Sequence, residues 1–277
     1  MPKDTLKEIV AKKKERIALA KQALPEEALK ARLAEAPQVR PFLAAVNRAK
    51  QISLIAEIKR QSPSAGVIVQ DFDHRAIAAV YKEAGAQAIS VLTEEDFFGG
   101  SASFLSEIKA VVDLPLLRKD FLLEPYQVYE SRFYGADAIL LIAELLSKDA
   151  ISEMVALAAT LGMDCLVESH DEKELKKCLG LKVFPAEEPA GKKKKQPIPF
   201  LIGLNNRDLR TLETDIKITE RMYPLIPRDR VVVVESGIKS YQDILFLKVL
   251  GVNAVLVGET ILKAADRKEA ILDLMGW

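Results

Sequence analysis

From residue 52 onward the chain alternates short, almost wholly apolar runs with longer segments of mixed polarity. The apolar runs are Ile52–Ile58, Ala88–Leu92, Pro115–Arg118, Ala138–Ile142, Asp164–Val167, Phe200–Leu204, Val231–Val234 and Ala254–Val257. Runs of this length, apolar on both alternating faces, are expected for parallel strands covered on two sides. The segments between them carry helical periodicity, at Arg75–Ala84, Ser103–Val112, Pro125–Tyr134, Ala150–Leu161, Glu172–Leu179 and Tyr241–Leu250. Several end in a glycine just ahead of the next run (Gly85, Gly135, Gly162 and Gly251), the chemistry of a helix C-terminus followed by a short loop. Eight such repeats predict an α/β protein, a (β/α)8 barrel of the TIM type; an open doubly wound sheet is the alternative architecture. The first 50 residues, rich in Lys, Ala, Glu and Leu, read as a helical extension, with Pro25 and Pro41 interrupting it or standing near helix starts. The expected organisation is a single domain, 1–277: extension 1–50, barrel 52–277, and an inserted surface loop at 182–197.

Where a barrel strand passes into the following loop, its residues face the mouth at which such enzymes carry their sites. Here those positions are polar. Glu57 and Lys59 close the first run, two residues apart and so on one face. Thr93 and Glu94 follow the second, Lys119 and Asp120 the third, and Glu144 the fourth. Glu168 and Ser169 follow the fifth, Asn205, Asn206 and Arg207 the sixth, Glu235 and Ser236 the seventh, Glu259 the eighth. A single charge after a strand is ordinarily a solvated loop residue, and Glu57 with Lys59 alone could be a structural ion pair. Recurrence around one rim favours a site.

Glycines follow the last two strands, in Glu235-Ser-Gly-Ile238 and Val257-Gly-Glu-Thr260. Barrel enzymes bind phosphate there through backbone N–H groups, which glycine leaves open to close approach. Gln61-Ser-Pro-Ser-Ala-Gly66 reads either as a surface turn or as a mobile lid with Ser62 as a phosphate donor.

Composition narrows the partners. Forty basic residues balance forty acidic ones, so nucleic-acid binding is not expected, and anion binding must rest on local charge. Two cysteines without a CxxC spacing and two histidines predict neither a disulfide scaffold nor a His-rich metal site. With no leader-like or membrane-length apolar stretch, the expectation is a soluble cytoplasmic protein.

The motifs themselves resemble a family. Ile55-Ala-Glu-Ile-Lys-Arg-Gln-Ser-Pro-Ser-Ala-Gly66, Ser90-Val-Leu-Thr-Glu-Glu95, Leu117-Arg-Lys-Asp-Phe121 and Leu166-Val-Glu168 are similar to the motifs of indole-3-glycerol-phosphate synthase, the barrel enzyme of tryptophan biosynthesis. So are Ile202-Gly-Leu-Asn-Asn-Arg-Asp-Leu209, Val234-Glu-Ser-Gly-Ile238 and Val257-Gly258, in order from about residue 50 to the end. The first motif and Asn205-Asn-Arg-Asp-Leu209 are the most specific.

The resemblance implies a carboxy-lyase that closes 1-(2-carboxyphenylamino)-1-deoxyribulose 5-phosphate into an indole with loss of carbon dioxide and water. It implies no cofactor and no metal. Lys119 matches the family's general acid, expected to have a lowered pKa through repulsion from a second ammonium, Lys59. Lys59 resembles the lysine near the substrate carboxylate, with a share in acid catalysis left open, and Glu57 would orient it. Glu168 matches the base. Asn205 would hydrogen-bond substrate oxygens, and Arg207 would supply charge. Ser236, with Ser62, Gly237, Gly258 and the backbone of Glu259, would line the phosphate end. Phe98 and Phe121 would either contact the aromatic ring or pack in the core. The departure from the family is the loop at 182–197, whose Lys192–Lys195 run is read as solvated and remote from the mouth. The partner is a small phosphate ester, with no nucleic acid and no membrane; a monomer is expected, a weak homodimer being the alternative. Other readings are another phosphate-binding barrel, such as phosphoribosylanthranilate isomerase, or a barrel that binds without catalysing. Cys165 lacks the Cys/Asp setting of the former.

Overall fold

A computed structural model describes residues 5–185, 196–208 and 213–277. Eight parallel strands among them close into a barrel: β1 (Ser53–Ile58), β2 (Ala88–Leu92), β3 (Leu116–Lys119), β4 (Ala138–Ile142), β5 (Asp164–Ser169), β6 (Leu201–Asn205), β7 (Val232–Glu235) and β8 (Ala254–Val257). Each pairs with its neighbours in chain order, and β1 closes the ring against β8, with Ser53 opposite Ala254 and Ala56 opposite Val257. The open-sheet alternative is thereby excluded.

Closure splits each apolar run into two sets, because successive side chains leave a strand on opposite faces. Ile55, Leu117, Leu140, Leu166, Leu201 and Val233 pack into the barrel interior. Their sequence neighbours Leu54, Leu116, Leu141, Val167, Ile202 and Val234 pack outward under the helices. Parity then carries upward to the mouth. Glu57, Lys119, Glu168, Asn205 and Glu235 each lie two residues beyond an interior position, or four in the case of Asn205, so all five point inward at the strands' C-terminal ends.

The surrounding helices follow their sequence signals closely. Those on the barrel wall include α4 (His74–Glu83), α5 (Ser103–Lys109), α6 (Pro125–Phe133), α7 (Lys148–Thr160), α8 (Glu172–Leu179) and α10 (Tyr241–Leu250). Asp73, Ser147 and Asp171 accept backbone N–H bonds at the starts of α4, α7 and α8. Gly85, Gly135, Gly162 and Gly251 all have positive φ, between 79° and 98°, where a side chain would be strained. Short helices α9 (Lys217–Met222) and α11 (Glu259–Leu262) follow β6 and β8, and α12 (Arg267–Met275) ends the fold.

Three α-helices among the described residues precede β1: α1 (Thr5–Ala23), α2 (Glu26–Ala31) and α3 (Phe42–Val46). Pro25 and Pro41 stand immediately before α2 and α3. α1 crosses the barrel mouth, where Leu6 and Ile9 join the interior apolar cluster. Lys13, only 2% exposed, donates to Glu95 at 2.7 Å and pairs with Asp120 at 2.8 Å, and Arg16 grips Asp96. The extension is therefore tied to the loops after β2 and β3.

Of the two loops singled out, the structure describes one in full. The segment after β1 is a small hairpin, Gln61–Ser62 paired with Gly66–Val67, its tip turned by Gly66 at φ 64°. The insertion expected at 182–197 is described only at its flanks, where the Ile198 N–H donates to the Val183 carbonyl at 2.7 Å. Lys192–Lys195 lie outside the described residues.

Candidate active site

The mouth opens into a cavity of about 480 Å3 lined by residues from every part of the rim and by Leu6 and Ile9 of α1. At its floor, Lys119 Nζ lies 2.9 Å from Glu168 Oε2 and 2.8 Å from Glu235 Oε2. Beside this triad, Lys59 donates to Glu57 Oε1 at 2.5 Å, as the two-residue spacing predicts. The two glutamates on Lys119 are 1% exposed and the lysine 14%.

This geometry corrects the expectation that repulsion from Lys59 lowers the Lys119 pKa. Burial does work against the ammonium, but the carboxylates of Glu168, Glu235 and Glu57 outweigh it and hold Lys119 well above the usual lysine range. The two carboxylates divide. Burial would raise Glu168, yet Lys119 and His170 hold it well below the ordinary value. Glu235 goes the other way, raised by burial and by the charge of Glu168 against the pull of Lys119. Two neighbouring acids with pKa values pushed apart can do different work at one pH.

Small residues make room for these glutamates. A Cβ at Gly203 would lie 2.9 Å from Glu235 Oε1 and 3.1 Å from the Glu168 backbone. A Cβ at Gly258 would collide with the Glu57 carboxylate. The absence of a side chain at Gly258 thus leaves room for Glu57.

Asn205 is buried, and its Oδ1 accepts the Arg207 N–H at 3.0 Å. Arg207 reaches across the mouth, donating to Ser64 Oγ at 2.6 Å and lying 3.6 Å from Glu259 Oε2. Glu259 therefore engages through its side chain, which also accepts from Lys263 at 2.6 Å. Ser62 Oγ accepts the Ala65 N–H within the hairpin at 3.2 Å and sits 3.3 Å from Ser64 Oγ. After β7, Ser236 and Gly237 both have positive φ, 66° and 78°, turning the backbone sharply at the rim. Thr260 Oγ1 donates to the Ile238 carbonyl at 2.8 Å, tying the seventh and eighth loops together. Phe98 and Phe121 lie 6.3 Å apart, tilted at 39°, and both line the cavity while packing on the interior core. The expected site residues thus converge on one cavity.

Two residues were missed as site members. Glu235 was counted among the polar rim residues but given no role, although its parity with Val233 marks it as interior. His170 was set aside with the metal-site question, and no local signal distinguished it. Its Nε2 lies 3.0 Å from Glu168 Oε1. Cys165 packs outward under the helices, and burial pushes its thiol well up, which leaves it unsuited to the acid–base work of an isomerase.

The sequence profile of indole-3-glycerol phosphate synthase matches residues 6–274. The chain belongs to this family. It is 46% identical over 268 residues to the indole-3-glycerol phosphate synthase of Acetivibrio thermocellus, covering 96% of this chain and 97% of that one. Identity to the synthase of Rhodopirellula baltica is 42% over 261 residues, 94% of this chain and 95% of the other. Among solved structures, 3-hexulose-6-phosphate synthase from Salmonella typhimurium superposes with a TM-score of 0.58 at 13% identity, over 81% of this chain and 97% of that one. At that identity the likeness carries the fold alone. No helix among the described residues is long and apolar enough to cross a membrane.

Proposed function

We propose that the chain acts as an indole-3-glycerol-phosphate synthase, a carboxy-lyase closing 1-(2-carboxyphenylamino)-1-deoxyribulose 5-phosphate into indole-3-glycerol phosphate, a step of tryptophan biosynthesis. The observation that carries the reading is the Lys119 ammonium held between Glu168 and Glu235, next to a second ammonium on Glu57. Ring closure joins the carboxyl-bearing aryl carbon to the ketone carbon, and the carbonyl electron pair moves onto oxygen. The alkoxide so formed is a far stronger base than an amine, so Lys119 can give up its proton despite a raised pKa. That proton is available at any pH near neutrality because the surrounding carboxylates keep the lysine loaded.

Lys59 faces the substrate carboxylate and stabilises it until carbon dioxide departs, returning the bonding pair to the ring. Glu57 fixes the lysine for that role. Dehydration follows: Glu168, ionised by its cationic neighbours, takes a proton from the carbon beside the nitrogen, and the hydroxyl leaves as water with a proton from the Lys59 ammonium. Asn205 and Arg207 hold substrate oxygens. Ser236, Gly237, Gly258 and the Glu259 backbone, with Ser62 from the hairpin, receive the phosphate. Phe98, Phe121, Leu6 and Ile9 offer the apolar wall for the aromatic ring.

Incubating the folded protein with the carboxyphenylamino substrate should give the rising fluorescence of an indole product. No product from well-folded protein would sink the reading.

A further inference from the structure

We propose that His170 is a positioning residue, a second cation that fixes the Glu168 carboxylate and sets its readiness as a base. This rests on Glu168 acting as the base in the reaction above.

The geometry comes first. Glu168 has two oxygens and two cations: Oε2 faces Lys119 at 2.9 Å inside the barrel, and Oε1 faces His170 Nε2 at 3.0 Å on the side of the following loop. The carboxylate is thus gripped from both ends. His170 is itself anchored. Its backbone N–H donates to Glu174 Oε2 at 2.8 Å, and its Nδ1 lies 3.4 Å from the same oxygen. Glu174 sits in the first turn of α8, where its N–H donates to the capping Asp171 at 2.8 Å. The imidazole therefore hangs from a helix start and reaches under the site to the base. Its side chain is 8% exposed, and neither ring nitrogen makes a well-aligned hydrogen bond to a described group. What holds it is charge.

The groups that face this pair come from every element packed around it. Lys119 from β3, Glu235 from β7 and, further off, Glu57 from β1 surround the Glu168 side. Glu174 of α8 and Glu144 after β4 flank the ring, with ligand-type atoms within 4.8 Å of one another. Acidic groups outnumber cations, and a neutral imidazole would leave Glu168 sharing one ammonium with Glu235. Burial opposes charge on the ring, but Glu168 and Glu174 outweigh it and hold His170 up to about 10. By the same coupling the imidazolium keeps Glu168 ionised, while Glu235, which lacks such a partner, is raised. The asymmetry between the two glutamates thus depends, beside Lys119 and burial, on a residue outside the cavity lining.

The chain has only two histidines, so the imidazole of His170 can be titrated by NMR once His74 is assigned by substitution. In the wild-type protein His170 should stay doubly protonated through pH 8, and Glu168→Gln should lower its midpoint by about one unit or more. A neutral His170 at pH 7, or a midpoint unmoved in Glu168→Gln, would overturn the pairing. Kinetically, His170→Gln should lower kcat roughly 10-fold or more with little change in KM. The acidic limb of its kcat–pH profile should move up by about one unit, because Glu168 with one cation fewer keeps its proton to higher pH. A purely structural histidine would lower the folded fraction and leave that limb in place, which would also overturn the inference. If the wild-type protein makes no indole product while the NMR coupling is present, the ion pair stands, but the assignment of Glu168 as base falls with the function.

Discussion

Two buried charge clusters sit at opposite ends of the barrel, and they are built differently. At the bottom, Asp137 precedes β4 and is fully buried. Its Oδ1 accepts from Lys109 at 2.5 Å and from the Arg40 N–H at 2.6 Å, and its Oδ2 accepts from the Leu116 N–H at 2.8 Å. Lys109 spends another proton on the Gly135 carbonyl at 2.9 Å. Both oxygens of this carboxylate are satisfied. At the mouth, Lys119 must serve Glu168 and Glu235 together, and Glu235 Oε1 is buried with no hydrogen-bond partner among the described residues. A satisfied buried pair locks an extension and a strand start in place. A cluster with more carboxylates than donors holds ionisation states apart, at some cost to the fold, and that imbalance is what proton transfer requires.

The contrast can be broken from either end. The largest effect is expected for Lys119→Ala: kcat should fall by roughly 10³-fold while substrate still binds, since general acid catalysis is worth about 10²–10⁴. Single-turnover indole fluorescence alongside a binding isotherm checks both parts, and an intact kcat would remove Lys119 from the acid role. Next comes Asp137→Ala, which strands the Lys109 ammonium in the interior. Such a loss costs about 3–5 kcal/mol, read by urea unfolding, while kcat of the folded fraction stays unchanged. A kcat loss matching that of Lys119→Ala would erase the distinction between the two ends.

The smallest and most diagnostic effect is that of Glu235→Gln. Because the folded-state pKa of Glu235 is raised, the native state favours its protonated form, and the associated stability is present at low pH and lost as pH rises toward that folded value. The amide carries no such penalty. Relative to wild type, Glu235→Gln should therefore gain thermal stability as pH rises from the ordinary carboxyl range toward neutrality, by a few degrees, with about 2–4 °C for each kcal/mol in a chain of this size. Its kcat should fall over the same range. Stability that tracked wild type at every pH would show that Glu235 carries no strain.

The bottom of the barrel and its wall were the more legible half. α8 and α10 begin and end where periodicity and capping residues place them, since those signals are local. Elsewhere the helix ends shifted by one to a few residues, as at α5, which stops at Lys109 ahead of the expected Val112. The mouth was legible through motifs: Glu57, Lys59, Lys119, Glu168 and Asn205 were all named from residues in this sequence. Glu235 was placed on the rim without a role and His170 was not placed there at all, for different reasons. Glu235 stood at the edge of a run ending at Val234, so the face it occupies depended on a boundary one residue away. His170 lies beyond the end of its strand, and which group it meets is set by the path of α8.

The sequence by itself determined the repeat, the capped helices and the identity of most charged groups at the mouth, because these depend on side-chain period and local backbone chemistry. Tertiary structure decided the charge each group carries. Lys119 was expected to lose its proton easily and instead holds it firmly. The carboxylates of β1, β5 and β7, distant in the chain, are brought around it only when the barrel closes, and in a buried site their combined field outweighs burial.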